Sequence, residues 1–123
     1  MPYIAVVDDE EAVRKALGRL LRASGIQVDY FTGGREFLDT ALGRRPDCAV
    51  LDLHMPGMSG LQVLHELRPA LPVIVITAHD STDVRDQCLA AGARIYLRKP
   101  LEASVLLEAI STCLRPIRTE NQS

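Results

Sequence analysis

Five polar side chains stand at or just beyond the ends of short apolar runs: Asp8 and Asp9 after Tyr3–Val7, Asp52 after Ala49-Val50-Leu51, Thr77 after Ile74-Val75-Ile76, and Lys99 just past Ile95-Tyr96-Leu97. An unpaired carboxylate is costly to bury, so an acid closing a run as apolar as the one before Asp52 needs compensation. Two further carboxylates beside it repel one another unless a cation or a shared proton intervenes. Hard oxygen ligands select Mg²⁺, which keeps several waters in an octahedral shell. Lys99 supplies a point charge in a chain that has two lysines against twelve arginines. A threonine hydroxyl donates a hydrogen bond, so Thr77, Lys99 and Mg²⁺ together suit the stabilisation of charge in transfer, with Asp52 as phosphoryl acceptor. Plainer roles exist for each residue alone. Acids near a helix start favour its dipole, which accounts for Glu10 and Glu11 better than for Asp8 and Asp9. Thr77 alone is an ordinary β-branched strand residue, and Lys99 alone caps the chain before a helix.

The elements that must position these groups alternate five times between β-branched runs and helical periodicity, which predicts α/β architecture. Strands are expected at 3–7, 27–31, 48–52, 73–77 and 95–97, the first, third and fourth so continuously apolar that both faces should be buried. Ala12, Val13, Ala16, Leu17, Leu20 and Leu21 give the first helix its apolar face, and Gly25 closes it. The second helix is expected over 35–42 with Phe37, Leu38 and Leu42 inward, the third over 61–67 with Pro69 ending it, and the fourth over 82–91. The fifth, 102–114, is expected to bury Val105, Leu106, Ala109, Ile110 and Cys113. Right-handed crossovers then give a doubly wound five-stranded parallel sheet, in which functional groups collect beyond the carboxyl ends of the strands.

A chain of 123 residues that is 47% hydrophobic supports one core, expected over 1–115, followed by a polar tail or the start of a linker at 116–123. The net charge of −2 argues against direct nucleic-acid or membrane binding by this domain. Neither a secretion signal nor an apolar stretch near twenty residues is visible. Cys48, Cys88 and Cys113 lack metal-ligand spacing and read as buried free thiols in a reducing cytoplasm. The loop His54-Met55-Pro56-Gly57-Met58-Ser59-Gly60 is a tight turn able to aim a backbone carbonyl at a metal, and it lacks the Lys-Ser/Thr ending of a nucleotide-binding P-loop.

Val7-Asp8-Asp9-Glu10, Leu51-Asp52 with the loop through Gly60, Ile76-Thr77-Ala78 and Lys99-Pro100 resemble, in order and placement, the receiver domains of two-component response regulators, of the chemotaxis-regulator type. The resemblance implies a flavodoxin-like fold with strand order 2-1-3-4-5 and a cytoplasmic switch that takes phosphate on Asp52 from a sensor histidine kinase or phosphotransfer protein. It implies Mg²⁺ on Asp8, Asp9, Asp52 and the His54 carbonyl, phosphoryl contacts from Thr77 and Lys99, a cis Lys99–Pro100 peptide, and Tyr96 as switch aromatic. A dianion on Asp52 would attract Thr77 and Lys99, and the vacated space would let Tyr96 turn inward. The surface of helix four, strand five and helix five would then change, with Arg85, Gln87, Leu89, Arg94, Arg98 and Leu107 as exposed candidates for a homodimer contact or control of an output such as transcription. His54 and His79 are candidate modulators of dephosphorylation, and His65 reads as solvated. Leu101 departs from the aromatic common after Lys-Pro in the family.

A phosphatase with an aspartyl nucleophile would share the carboxylates, Thr and Lys, but the position of its general acid is His54 and 123 residues leave no room for a substrate cap. The intact five-residue set argues against an interaction module that has lost phosphate chemistry. The absence of a Ser/Thr-rich loop after the first strand argues against flavin binding. The expected protein is therefore a phosphoacceptor switch, not an enzyme acting on a separate metabolite.

Overall fold

The computed structural model describes residues 2–67 and 71–115. Ten elements alternate along the chain: β1 Tyr3–Val7, α1 Glu11–Ala23, β2 Gln27–Phe31, α2 Gly34–Gly43, β3 Cys48–Asp52, α3 Gly60–Glu66, β4 Val73–Thr77, α4 Thr82–Ala90, β5 Ile95–Arg98 and α5 Ala103–Leu114. The strands form one parallel sheet in the order β2-β1-β3-β4-β5, the doubly wound arrangement expected. Pro69 and the tail at 116–123 lie outside the described residues.

Side-chain alternation along the central strands splits the core into two layers. Ala5, Val7, Ala49, Leu51, Val73 and Val75 pack with Phe37, Leu38, Val63, Leu64 and Cys88 from α2, α3 and α4. Ile4, Val6, Cys48, Val50, Ile74 and Ile76 face Leu17 and Leu21 of α1 and Leu106, Ala109, Ile110 and Cys113 of α5. All residues of β1, β3 and β4 are buried, as continuous apolar runs require. β2, with Gln27 and Asp29, is a half-exposed edge. The three cysteines are free and buried.

Three helix faces differ from expectation. In α2 the inward stripe runs through Gly34, Phe37, Leu38 and Ala41. Leu42, about 100° further round than Ala41, is 80% exposed beside a shallow groove between the ends of α2 and α3. In α5 the stripe is rotated toward Leu107, which packs on the core, and away from Val105, which is 45% exposed. On α1, Ala12 and Ala16 are exposed and line an open groove with Val13, Pro100 and Leu101.

Candidate functional site

The paired strands end level with one another: Val7 lies opposite Leu51, Asp52 opposite Ile76 and Thr77 opposite Arg98. The residues that follow therefore meet at one edge. Three backbone bonds fasten that edge: Asp8 N–H donates to Phe31 O at 3.0 Å, Leu53 N–H to Ile76 O at 2.9 Å and Lys99 N–H to Thr77 O at 2.7 Å. The Lys99–Pro100 peptide is cis.

The turn from β3 to α3 is sterically fixed. Gly57 has φ +81°, a region that favours glycine. A Cβ on Gly60 would lie 2.6 Å from the Asp52 carbonyl oxygen and 2.9 Å from Leu53 Cα. Only a hydrogen lets α3 start this close to Asp52. Ser59 and Gln62 then close a reciprocal capping box at the start of α3.

Asp8, Asp9 and Asp52 each present a carboxylate oxygen within 4.8 Å of the others. Asp8 and Asp52 are buried while Asp9 is exposed, so the cluster is reached from one side. Lys99 Nζ stands 3.0 Å from Asp8, 3.2 Å from Glu10 and 3.3 Å from Asp52. Asp8 Oδ1 accepts the Glu10 N–H at 2.9 Å, and its buried Oδ2 pairs with the Lys99 ammonium at 3.0 Å. A hard divalent cation fits this donor set: three carboxylates within reach of one another carry repulsion that a single ammonium leaves uncompensated. Burial, followed by repulsion from Asp8, pushes the Asp52 carboxyl up to about 6, with Lys99 pulling the other way. Burial lowers the Lys99 ammonium's pKa, but Asp8, Asp52 and Glu10 outweigh it and hold the pKa above that of an ordinary lysine.

Thr77 is buried at the same edge, but its hydroxyl is already engaged. It donates to His79 O at 3.2 Å and accepts the His79 N–H at 3.1 Å. Tyr96 packs against the layer formed with α2, α3 and α4, and its buried hydroxyl has no aligned hydrogen-bond partner. Desolvation raises that hydroxyl's pKa. The residue as a whole is half-buried, with its hydroxyl inside the protein. The exposed rings of His54 and His79 stand edge to face, centroids 5.6 Å apart. His65 is exposed, as expected.

Sequence reasoning missed two residues. Glu10, taken for a helix-dipole partner, reaches Lys99 across 89 residues of sequence, and Arg14 donates to the Asp8 carbonyl at 2.8 Å. The proximity of Glu10 to Asp8 was a signal; nothing local distinguished Arg14 from the other basic residues of α1.

A doubly wound domain with an acidic cation pocket, a lysine bridging its carboxylates and a threonine at the next strand end has the architecture of a phosphoacceptor switch. The model of the response regulator receiver domain matches residues 4–111, and the chain belongs to that family, a component of two-component signalling. It is 44% identical over 115 residues to response regulator MprA of Mycolicibacterium vanbaalenii, covering 91% of this chain and 50% of that protein. The chain thus spans about half the length of the curated relatives it matches. Among solved structures, a response regulator receiver protein from Burkholderia phymatum is 47% identical with TM-score 0.82, covering 93% of this chain and 95% of that one. The chemotaxis protein CheY4 of Vibrio cholerae superposes with TM-score 0.87 at 28% identity, covering 93% and 99%. A Burkholderia pseudomallei response regulator, solved with a phosphorylated aspartic acid, calcium ion and citrate, is 28% identical with TM-score 0.82, covering 89% and 66%. Among the described residues no helix is long and apolar enough to cross a membrane.

Proposed function

We propose that this chain is a cytoplasmic, Mg²⁺-dependent phosphoacceptor that takes a phosphoryl group on Asp52 from a sensor histidine kinase or phosphotransfer protein. The observation that carries the reading is the pocket itself: a buried carboxylate within reach of two others and 3.3 Å from an ammonium. The Burkholderia pseudomallei response regulator, solved with a phosphorylated aspartic acid and a calcium ion on a related fold, supports this reading.

Asp8, Asp9, Asp52 and the His54 carbonyl would hold Mg²⁺, which when bound neutralises charge on the transferring group. Asp52 attacks phosphorus through a carboxylate oxygen, and the donor's nitrogen or oxygen leaves with the bonding pair. Lys99, already at the acceptor, pairs with the added charge. Thr77 must exchange its His79 partners for a phosphoryl oxygen, which couples transfer to the β4–α4 loop. The changed surface would comprise α4, β5 and α5, where Leu89 and Val105 are exposed apolar residues suited to a homodimer or output contact. The output controlled through that surface is read as one such as transcription. The domain is read as catalysing only its own phosphorylation and dephosphorylation, with His54 and His79 at the mouth of the site setting the lifetime of the acyl phosphate.

Incubation with acetyl phosphate and Mg²⁺ should add one base-labile phosphoryl group, and beryllofluoride should occupy the same site. Labelling that persists in Asp52→Asn places the acceptor elsewhere. Sustained turnover of a phosphomonoester would favour the phosphatase reading.

A further inference from the structure

The two exposed imidazoles at the rim of the crevice are not needed to hold a hard cation, yet they come from different loops and meet. His54 belongs to the β3–α3 connection and His79 to the β4–α4 connection, with ring centroids 5.6 Å apart and planes at 73°. Two imidazoles on one tetrahedral ion, each with a metal–nitrogen bond of about 2.0–2.1 Å, place their centroids roughly 5 Å apart. The observed pair is about half an ångström wider than that. The rings meet edge to face, and their exposure leaves each free to turn about its soft Cβ–Cγ torsion.

We propose that His54 and His79 form a two-imidazole site for a borderline transition cation such as Zn²⁺ or Cu²⁺, separate from the carboxylate pocket and able to clamp the two loops together. Ligand type sets the two sites apart: neutral nitrogen donors suit Zn²⁺ and Cu²⁺, whereas the oxygen cluster suits Mg²⁺. Water completes the coordination shell. The clamp acts on Thr77 through His79, whose backbone N–H and carbonyl both engage the Thr77 hydroxyl. An ion tying the His79 side chain to His54 holds the loop in the arrangement that keeps Thr77 away from an incoming phosphoryl group. The clamping consequence rests on the proposed phosphoacceptor role; the binding itself does not.

The test uses the tag-free chain saturated with Mg²⁺ and titrated with Cu²⁺, followed by electron paramagnetic resonance and calorimetry. The expected result is one Cu²⁺ with two imidazole nitrogens in wild type. His54→Ala and His79→Ala should each bind on the order of a hundredfold more weakly, since the second ligand binds intramolecularly. His65→Ala and Asp52→Asn should keep the two-nitrogen signal. Absence of two-nitrogen coupling in wild type, or equal affinity in His79→Ala, overturns the site. In a second arm, Zn²⁺ should slow labelling by acetyl phosphate in wild type and leave His79→Ala unaffected. Equal slowing in both overturns the clamp, whereas a chain that takes no phosphoryl group even without Zn²⁺ overturns the phosphoacceptor reading and leaves the Cu²⁺ result standing.

Discussion

In the metal-free protein, replacing Asp52 by Asn should stabilise the fold at alkaline pH and do little at acid pH. The Asp52 carboxyl titrates near 6 in the fold against an ordinary 3.8, because burial and the neighbouring Asp8 disfavour its charge more than Lys99 favours it. A folded-state pKa raised above the unfolded one means that the fold binds this proton more tightly than the unfolded chain does. The stabilisation associated with the proton is complete below about pH 3.8 and is lost as pH rises through about 6. At 1.36 kcal/mol per pH unit, full ionisation leaves wild type about 3 kcal/mol less stable than its protonated form. Asn keeps the volume and never ionises, so Asp52→Asn should gain between about 1 and 3 kcal/mol over wild type at pH 8. With a urea m-value of about 2 kcal/mol per molar, the midpoint should rise by roughly 0.5–1.5 M. The assay is urea unfolding of both proteins in EDTA at pH 4, 6 and 8, repeated with Mg²⁺. The gap should widen with pH in EDTA and shrink when Mg²⁺ stabilises wild type. A gap independent of pH, or a variant less stable than wild type at pH 8, would refute the reasoning.

Removing the ammonium should act in the opposite direction: Lys99→Ala leaves the buried Asp8 and Asp52 without their cation and should lower stability in EDTA by about 3 kcal/mol, part of it recovered by Mg²⁺, as urea midpoints would show. Gly60→Ala drives a Cβ into the Asp52 carbonyl and the Leu53 backbone and should cost at least about 2 kcal/mol while weakening Mg²⁺ binding measured by calorimetry. An unchanged Mg²⁺ affinity there would separate this turn from the metal site. Phe37→Ala, at a core ring 1% exposed that contributes no ligand to the acidic cluster, should cost about 3–5 kcal/mol in thermal or urea unfolding without changing Mg²⁺ affinity relative to the folded fraction.

The strands were legible because a parallel strand covered on both faces cannot conceal its composition; β1, β3 and β4 are apolar at nearly every position. Asp8, Asp9, Asp52 and Lys99 were legible for a related reason, since a charge abutting such a run has to be compensated, and all four converge. Residues on the flank of a helical stripe were not: Leu42 and Val105 carry the right side chain at nearly the right angle, and tertiary placement decides whether that angle meets the core. Nor does sequence reveal where a hydroxyl points. Thr77 sits at its expected strand end, but its bond to the His79 backbone depends on the path of the following loop. The pairing of Glu10 with Lys99 is equally nonlocal.

Alternation across the sheet divides the polar set in a way that bears on how a signal would leave the site. Asp52 and Lys99 fall in the parity of Val50 and Leu97, on the α1 and α5 side, whereas Thr77 and Tyr96 fall with Val75 on the side of α4. A phosphoryl group on Asp52 therefore adds charge on one face, while the aromatic expected to respond packs on the other. Thr77 joins the two, because it ends the strand next to β3 and its hydroxyl is tied to the loop leading into α4. The Tyr96 hydroxyl is buried on that side while the residue as a whole is half-buried. Burial raises that hydroxyl's pKa, and the Ser81 backbone and Asp80 act on it from the β4–α4 loop. Thr77, bonded to the His79 backbone, and Tyr96, acted on by Asp80 and Ser81, therefore both meet the loop that leads into α4.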